Sequence, residues 1–304
     1  MFDFVKLTSP LSRSIHPVKI ADGYLYWNGF TFYRRGEYKY YATNESLRSR
    51  GLFGLMLSIN VRVSPTLHLE NSLHKFSQEG FNYEDFKFSQ FVECVDKVGA
   101  ILGMDVFEFK IWGRFEYAVN LVLDDPGYFD PQEVNFENRF PRYMEERGKL
   151  FGVSFKREGY VAKLYRPIRK EQIKRNLSPK VVDNILRFEI AEQVGCLRRK
   201  GIEIQYLSDL LKEDVLLGIG NSLGRMGKRI LLDPLNLHGL DYKDRQTALL
   251  FIHSSEEYIK DFKHSNASAH KEKWKRFKEL KQRDNTGFDL SSYALQTWEN
   301  LMLN

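Results

Sequence analysis

Cysteine is scarce in this chain of 304 residues, and long apolar runs are missing. The two cysteines, Cys94 and Cys196, are too few for a disulfide scaffold, and neither belongs to a CxxC pair of the kind that serves zinc or redox sites. The longest apolar stretch, Leu52 to Leu57, is far too short to span a bilayer, and the opening residues MFDFVKLTSP lack a signal-peptide pattern. These absences predict a soluble protein of a reducing compartment, the cytoplasm, with no membrane partner.

Charge of neither sign dominates the composition. Lys and Arg number 46 against 40 Asp and Glu, and this small excess favours polyanionic partners without demanding one. With 42% hydrophobic residues the chain can bury a full core, so one large domain or two modest ones are both possible. The 14% of aromatic residues are expected mainly to fill a β-rich core, and some could stack on unpaired bases.

The first two thirds of the chain alternate between strand and helix patterns. Gly23–Tyr33 alternates aromatic and polar residues around Asn28-Gly29, which predicts a hairpin. An amphipathic helix is predicted over 89–102, with Ser89 as its N-cap and Gly103 after its last turn. Further strands are predicted within 107–123, 151–155, 160–168 and 185–191, a short helix with loops over 127–147, and a charged helix or loop over 170–183.

Beyond Gly195 the pattern becomes mainly helical, with helices predicted near 207–217, 244–262, 270–283 and 291–303. Gly218–Gly224 matches neither glycine-rich phosphate-binding motif, and we expect a flexible turn there. The predicted fold class is therefore α+β. An antiparallel sheet core with packed helices occupies residues 1–195, and a mainly helical C-terminal region occupies 196–304.

Two predicted strands carry polar residues on one face. Because side chains alternate along a strand, Arg114, Glu116 and Asn120 share a face, as do Arg187 and Glu189. Presented from neighbouring strands, Glu116 and Glu189 would form a hard oxygen site for Mg²⁺ or Mn²⁺, with Asn120 completing the shell. The alternative is a solvated sheet face on which each Glu pairs with an Arg.

A third strand, within Tyr160–Glu171, places Lys163 and Tyr165 on the same side. Transesterification of a phosphodiester by tyrosine requires basic neighbours, because the phenolate must form near neutral pH and the phosphate charge must be neutralised. Tyrosines on strands are more often packing residues, which is the alternative here. Tyr160 could also take the place of Tyr165.

The order of these segments resembles the rolling-circle replication initiators of bacterial plasmids, phages and integrative elements. The resemblance rests on an R-x-[DE]-x-A-x-[DN] strand at Arg114–Asn120, a later tyrosine-lysine strand, and the R-F-E strand at Arg187–Glu189. Upstream, Asn71–Phe76 (NSLHKF) and Gly80–Phe86 (GFNYEDF) look like segments of such proteins. The resemblance covers roughly residues 50–215.

This resemblance implies a nicking and joining enzyme. A tyrosine attacks the origin strand, stays bound to the 5′-phosphate and releases a 3′-hydroxyl that primes replication, with the help of a divalent ion. On this chain Tyr165 would be the nucleophile, Lys163 an electrostatic helper, Glu116 and Glu189 ligands of Mg²⁺ or Mn²⁺, and Asn120 a supporting ligand. The implied partners are origin DNA and host replication proteins.

The chain departs from the family pattern at the tyrosine itself. Tyr165-Arg166-Pro167 stands where the family has Y-D-K, and Asn120 stands where Asp is commoner. A DNA-binding protein on the same fold that no longer cuts is therefore the alternative function.

Basic side chains elsewhere are candidates for contacts with DNA phosphates. The helix predicted over 270–283 carries lysines on one side and Trp274, Phe277 and Leu280 on the other, a pattern equally typical of a solvated amphipathic helix. A structural role in a turn is the alternative for His74. The predicted DNA contacts are His74, Lys75, Arg114, Arg187, Lys271, Lys275 and Lys278.

Overall fold

The architecture is α+β with antiparallel sheets and a mainly helical C-terminal region, which confirms the predicted fold class. The computed structural model describes residues 1–14, 16–52, 54–80, 84–124, 129–132, 134–136, 141–175, 184–231, 241–253, 256–283 and 289–303. None of the described helices is long and apolar enough to cross a bilayer.

The strands of the described residues belong to three sheets, of eight, five and two strands. They are β1 (Phe4–Pro10), β2 (Lys19–Ala21), β3 (Tyr24–Trp27), β4 (Phe30–Arg34), β5 (Lys39–Ala42), β6 (Met56–Asn60), β7 (Thr66–Ser72), β8 (Lys110–Ile111), β9 (Arg114–Val122), β10 (Asn135–Phe136), β11 (Arg142–Glu146), β12 (Lys149–Arg157), β13 (Tyr160–Tyr165), β14 (Ile185–Gln193) and β15 (Ile230–Leu231).

The helices become longer and more frequent after β14. They are α1 (Asn44–Ser49), α2 (Leu73–Ser77), α3 (Phe88–Leu102), α4 (Pro167–Arg175), α5 (Val194–Arg199), α6 (Glu213–Gly227), α7 (Tyr242–His253), α8 (Glu256–Ser265), α9 (Ala267–Arg283) and α10 (Leu290–Leu303).

The large sheet has the antiparallel order β2-β3-β4-β5-β6-β7-β1-β8. The hairpin predicted at Asn28-Gly29 is confirmed: both residues have positive φ, 45° and 73°, as the tight turn between β3 and β4 requires. Alternate residues such as Leu25, Phe32 and Leu69 lie on the buried face of this sheet.

The small sheet has the antiparallel order β11-β12-β13-β14-β9. Its register places Lys163 beside Glu189 and Tyr165 beside Arg187. The start of the chain extends this sheet beyond β9, since the Asp3 amide donates to the Glu116 carbonyl at 2.9 Å. The segment that leads into β1 therefore joins the two sheets, and this junction positions the candidate site.

Helix α3 packs its apolar stripe into the core, as predicted, and ends at Gly103 in the left-handed conformation with φ 62°. The predicted N-cap is wrong. Lys87 is the capping residue, and its amide donates to the Gln90 side chain at 2.8 Å, so Ser89 lies within the first turn.

The flexible turn predicted at Gly218–Gly224 is also wrong, because these residues lie inside α6. Gly220 and Gly224 allow close packing of α10: a Cβ on Gly220 would lie 2.5 Å from the ring of Trp298, and one on Gly224 would lie 2.7 Å from Leu295. The indole of Trp298 also donates to the Leu216 carbonyl at 3.0 Å. Since Phe2 packs edge-on against Trp298, α6 and α10 share a core with the start of the chain.

We expect Gly220→Ala to destabilise the protein by about 1–3 kcal/mol, because the added methyl group overpacks the contact with Trp298. Gly195→Ala is the matched control. Gly195 is itself exposed on α5 with no atom near its Cβ position, so the change should leave stability unchanged or raise it by up to about 1 kcal/mol. Urea unfolding of both variants measures the difference, and equal effects would contradict the packing role.

Two further segments differ from expectation or lie partly outside the described residues. Within 127–147 the described part forms β10 and β11, so the short helix predicted there is wrong. Of the charged segment 170–183, residues 170–175 are helical and 176–183 lie outside the described residues, as do Asn82 and Tyr83 of the upstream motif. The domain division at residue 195 stays a prediction.

Candidate active site

A pocket of about 160 Å³ opens where the small sheet meets β1 and β7. Its walls combine carboxylates, lysines and one tyrosine. The described lining consists of Asp3, Phe4, Asn71, Ser72, Lys75, Glu116, Met144, Lys163, Tyr165, Lys170 and Glu189. Four residues predicted from the strand patterns, Glu116, Lys163, Tyr165 and Glu189, are therefore brought together here.

Three carboxylates converge in this pocket. One oxygen each of Asp3, Glu116 and Glu189 lies within 4.8 Å of the others. Glu116 extends from β9 and Glu189 from β14, while Asp3 arrives through the junction of the two sheets. Carboxylate oxygens are the ligands that Mg²⁺ and Mn²⁺ prefer, so this donor set fits the predicted ion.

The ionised form of Glu116 is disfavoured in this pocket. Burial, and next the negative charge of Glu189, raise the pKa of Glu116 to about 8. A cation bound between the two carboxylates would offset that repulsion and favour the ionised form.

Lys163 lies between the same two carboxylates. Its Nζ is 2.5 Å from Glu189 Oε1 and 3.6 Å from Glu116 Oε1. Burial alone would lower the pKa of Lys163, but the two carboxylates raise it above its usual value. Lys163 is therefore a permanent positive charge at the pocket wall.

Arg187 is fully buried behind the carboxylates. Its guanidinium donates to Asp3 Oδ2 at 2.7 Å, to Asn120 Oδ1 at 2.9 Å and to Glu189 Oε2 at 3.4 Å. Burial opposes the ionisation of Asp3, yet the charge of Arg187 holds the pKa of Asp3 below its usual range. With 1% of its surface exposed, Arg187 cannot reach a DNA phosphate, so the predicted direct contact is corrected to a positioning role.

Asn120 stands behind the pocket in the same way. Besides accepting from Arg187, its amide donates from Nδ2 to the Glu84 carbonyl at 2.8 Å. The described lining of the pocket does not include Asn120. The predicted metal ligation by Asn120 is therefore corrected: its oxygen serves Arg187, and Asp3 supplies the third carboxylate.

Tyr165 is the tyrosine that faces the carboxylates. Its hydroxyl donates to Glu189 Oε2 at 3.1 Å, and Lys170 Nζ lies 5.4 Å from its ring centre. Tyr160, which the sequence left as an alternative, lies on the opposite face of β13, where its hydroxyl accepts from Arg229 at 3.2 Å. Of these two tyrosines, only Tyr165 has a carboxylate placed to take its proton.

Two lysines add positive charge to the pocket walls. Lys75 at the start of α2 and Lys170 on α4 both line the pocket, and burial together with the charge of Lys75 lowers the pKa of Lys170. Neither Lys170 nor Asp3 was predicted from the sequence. Lys170 belongs to the segment Tyr160–Glu171 but lies on α4, beyond its strand, and Asp3 lies outside all three segments, so tertiary structure brings both residues to the pocket.

His74, unlike these two lysines, does not line the pocket. Its ring is fully buried and stacks on Phe86 with centroids 4.9 Å apart. Burial, and next the charge of Arg187, lower the pKa of His74 to about 2, so the ring is neutral at pH 7. The predicted contact of His74 with DNA is corrected to a buried packing role on α2, and the turn position that was its alternative is wrong as well.

Other predicted DNA contacts lie apart from the pocket lining. Arg114 is exposed at the start of β9. Helix α9 is amphipathic as predicted: Phe277 and Leu280 are buried in an apolar cluster with α7 and α8, and the three lysines predicted to contact DNA are exposed. Contacts of Arg114, Lys271, Lys275 and Lys278 with DNA stay predictions.

Comparisons with known proteins do not assign a function to this pocket. The chain matches no protein-family model, and no curated protein is significantly similar to it in sequence.

Proposed function

We propose that this protein is a cytoplasmic DNA strand transferase that initiates replication or transfer of its own mobile element. It would nick one origin strand by tyrosine attack with the assistance of Mg²⁺ or Mn²⁺. The observation that carries the proposal is the convergence of Tyr165, Lys163 and the carboxylates of Asp3, Glu116 and Glu189 in one pocket.

Tyr165 supplies the nucleophile in this mechanism. The hydroxyl of Tyr165 transfers its proton to Glu189 Oε2, 3.1 Å away, and the phenolate oxygen attacks the phosphorus of the scissile phosphodiester. The bond from phosphorus to the 3′-oxygen breaks, and the leaving oxygen takes up a proton from solvent to become a 3′-hydroxyl. The strand then stays attached to Tyr165 through its 5′-phosphate.

The other residues of the pocket stabilise charge and hold geometry. Lys163, Lys75 and Lys170 place positive charge beside the phosphate, whose charge grows as the nucleophile attacks. Asp3, Glu116 and Glu189 would hold the divalent ion, which polarises the phosphate oxygens when bound. Arg187 and Asn120 orient two of these carboxylates from behind.

A nicking assay tests the proposal directly. The protein is incubated with Mn²⁺ or Mg²⁺ and with supercoiled or single-stranded DNA that contains its own coding locus and flanks. We expect nicked circles and a protein-DNA adduct that survives denaturation, and both should disappear with EDTA. Binding without a nick under either ion would overturn the proposal in favour of a DNA-binding protein that does not cut.

Binding of the metal is expected to depend on Glu116. Glu116→Gln keeps the side-chain shape but removes a charged ligand, so we expect Mn²⁺ affinity to fall by about tenfold or more. In the wild type the proton held by Glu116 must leave, so affinity should rise with pH until about 8 and then level off. The variant should show little of that pH dependence. Isothermal titration calorimetry measures both effects.

Glu192→Gln is the matched control for this titration. Glu192 lies on the same strand as Glu189 but on the opposite face, where Lys200 binds it at 2.8 Å. Its replacement should leave Mn²⁺ affinity unchanged. Equal losses in Glu116→Gln and Glu192→Gln would show that the pocket does not hold the ion.

A further inference from the structure

Exposed and half-buried tyrosines form a row across the outer face of the large sheet, the face turned away from its core. Tyr24 on β3 pairs with Tyr33 on β4, and Tyr33 pairs with Tyr41 on β5. The rings of Tyr33 and Tyr41 have centroids 6.3 Å apart. Tyr24 and Tyr33 expose 43% and 40% of their surface, so a large part of each ring lies outside the core.

The same line of paired residues continues over β6 and β7, where the side chain of Ser58 on β6 is buried and interrupts the rings. Tyr41 pairs with Ser58 on β6, and Ser58 pairs with His68 on β7. Trp112, which follows β8 and is exposed, packs edge-on against His68 with ring centroids 5.7 Å apart. We call Tyr24, Tyr33, Tyr41, His68 and Trp112 the aromatic row. At a strand spacing of about 4.8 Å it extends over roughly 30 Å.

Cations accompany the rings of the aromatic row. Lys39 Nζ lies 4.9 Å from the ring centre of Tyr41, and the guanidinium of Arg35 lies 5.6 Å from it. At the other end, Lys6 Nζ lies 5.3 Å from the ring of Trp112. Flat rings that alternate with positive charges match an unpaired nucleic-acid strand, whose bases stack while its phosphates are neutralised.

The aromatic row also leads to the pocket. Lys6 and Phe4 point to the same face of β1, and Lys6 Nζ lies 5.9 Å from the ring centre of Phe4. Phe4 itself lines the pocket that contains Tyr165 and the carboxylates. A strand laid along this face can therefore continue into the pocket.

We propose that the outer face of the large sheet binds an unpaired DNA strand, with bases stacked on the aromatic row. Phosphates of the strand lie near Lys39, Arg35 and Lys6. The arguments from stacking and charge depend only on the residues of this face, whereas the choice of DNA as the ligand rests on the proposed function. Duplex DNA fits less well, because its bases are already stacked and paired.

Fluorescence anisotropy with a labelled oligothymidine of about 15 nucleotides tests this site, a length within the range of known single-strand sites. EDTA is present, so that cleavage cannot contribute. Tyr33→Ala should weaken binding by about 5- to 150-fold, the effect expected when one base loses its stacking partner. Tyr24→Ala combined with Tyr33→Ala should weaken it further.

Two control variants separate stacking from other effects. Tyr33→Phe keeps the ring and should bind like the wild type. Tyr242→Ala removes an exposed tyrosine on α7, away from the large sheet, and should also bind normally. Circular dichroism melting of each variant separates a loss of binding from a loss of folding.

Tryptophan fluorescence gives an independent measurement of the same site. Trp27 and Trp298 are each 1% exposed and Trp274 on α9 is half-buried, whereas Trp112 exposes 39% of its surface and is the tryptophan on the proposed binding face. Oligothymidine should therefore quench the wild type, and Trp112→Phe should remove much of that quenching while the oligonucleotide still binds.

Three results would overturn the proposal. In the first, the folded Tyr24→Ala, Tyr33→Ala double variant binds oligothymidine as tightly as the wild type does. In the second, the wild type binds duplex DNA more tightly than oligothymidine. In the third, it binds oligouridine more tightly than oligothymidine. Failure of the nicking mechanism is distinguishable from these results, because oligothymidine binding is measured in EDTA and so reports on the aromatic row whether or not the wild type cuts DNA.

Discussion

Tyr165→Phe should abolish the covalent protein-DNA adduct and reduce nicking by about a thousandfold or more, because the variant lacks the oxygen that attacks phosphorus. The change removes one hydrogen bond to Glu189 and leaves the carboxylates in place. Stability should therefore fall by only about 0.5–1.5 kcal/mol, and Mn²⁺ affinity should change little. A gel assay for nicked circles and adduct, run beside a melting curve, measures these effects.

Tyr160→Phe is the control for this variant. It removes a hydroxyl from the same strand, but on the face turned away from the carboxylates, where Arg229 is the partner. We expect full adduct formation by Tyr160→Phe. If the adduct were lost in Tyr160→Phe and kept in Tyr165→Phe, the nucleophile would be Tyr160, on the face opposite the carboxylates, and the mechanism would be wrong.

Arg187→Ala should destabilise the protein by about 3–5 kcal/mol, since it leaves the carboxylate of Asp3 buried without its cation. The guanidinium is enclosed and donates to Asp3, Asn120 and Glu189, so its removal takes a hydrogen-bond donor from all three side chains. Urea unfolding measures the loss. A change below about 1 kcal/mol would contradict the positioning role given to Arg187.

Two further variants test whether the loss of stability comes from the pairing of Arg187 with Asp3. Arg114→Ala removes an exposed arginine of β9 and should alter stability by no more than about 0.5 kcal/mol. Adding Asp3→Asn to Arg187→Ala should recover part of the loss, because the unpaired buried charge is then gone. A double variant less stable than either single variant would show that the two groups are not coupled in this way.

The strand motifs made much of the candidate site predictable from sequence. Side chains alternate along each strand, so the shared faces of Glu116 with Asn120 and of Lys163 with Tyr165 followed from spacing alone. The pairing of β13, β14 and β9 then brings those faces together. Sequence spacing cannot supply that pairing, because it depends on the order of strands in the sheet.

Asp3 shows what local patterns miss. It lies far along the chain from Glu116, and only the junction between the two sheets brings its carboxylate to the pocket. Gly218–Gly224 shows the opposite error, since glycines that indicate a turn by local propensity here allow α10 to pack closely on α6. His74 and Arg187 were predicted to contact DNA phosphates because their side chains are basic, whereas burial, which depends on tertiary structure, excludes that contact.

The central claim is that Tyr165 becomes covalently bound to DNA. The most direct measurement is mass spectrometry of the adduct after exhaustive digestion with nuclease and protease. We expect a single modified peptide that contains Tyr165 and carries a nucleotide through its 5′-phosphate. A nucleotide attached to Tyr160 or to any other residue, or nicked DNA that leaves no modified peptide, would contradict the mechanism.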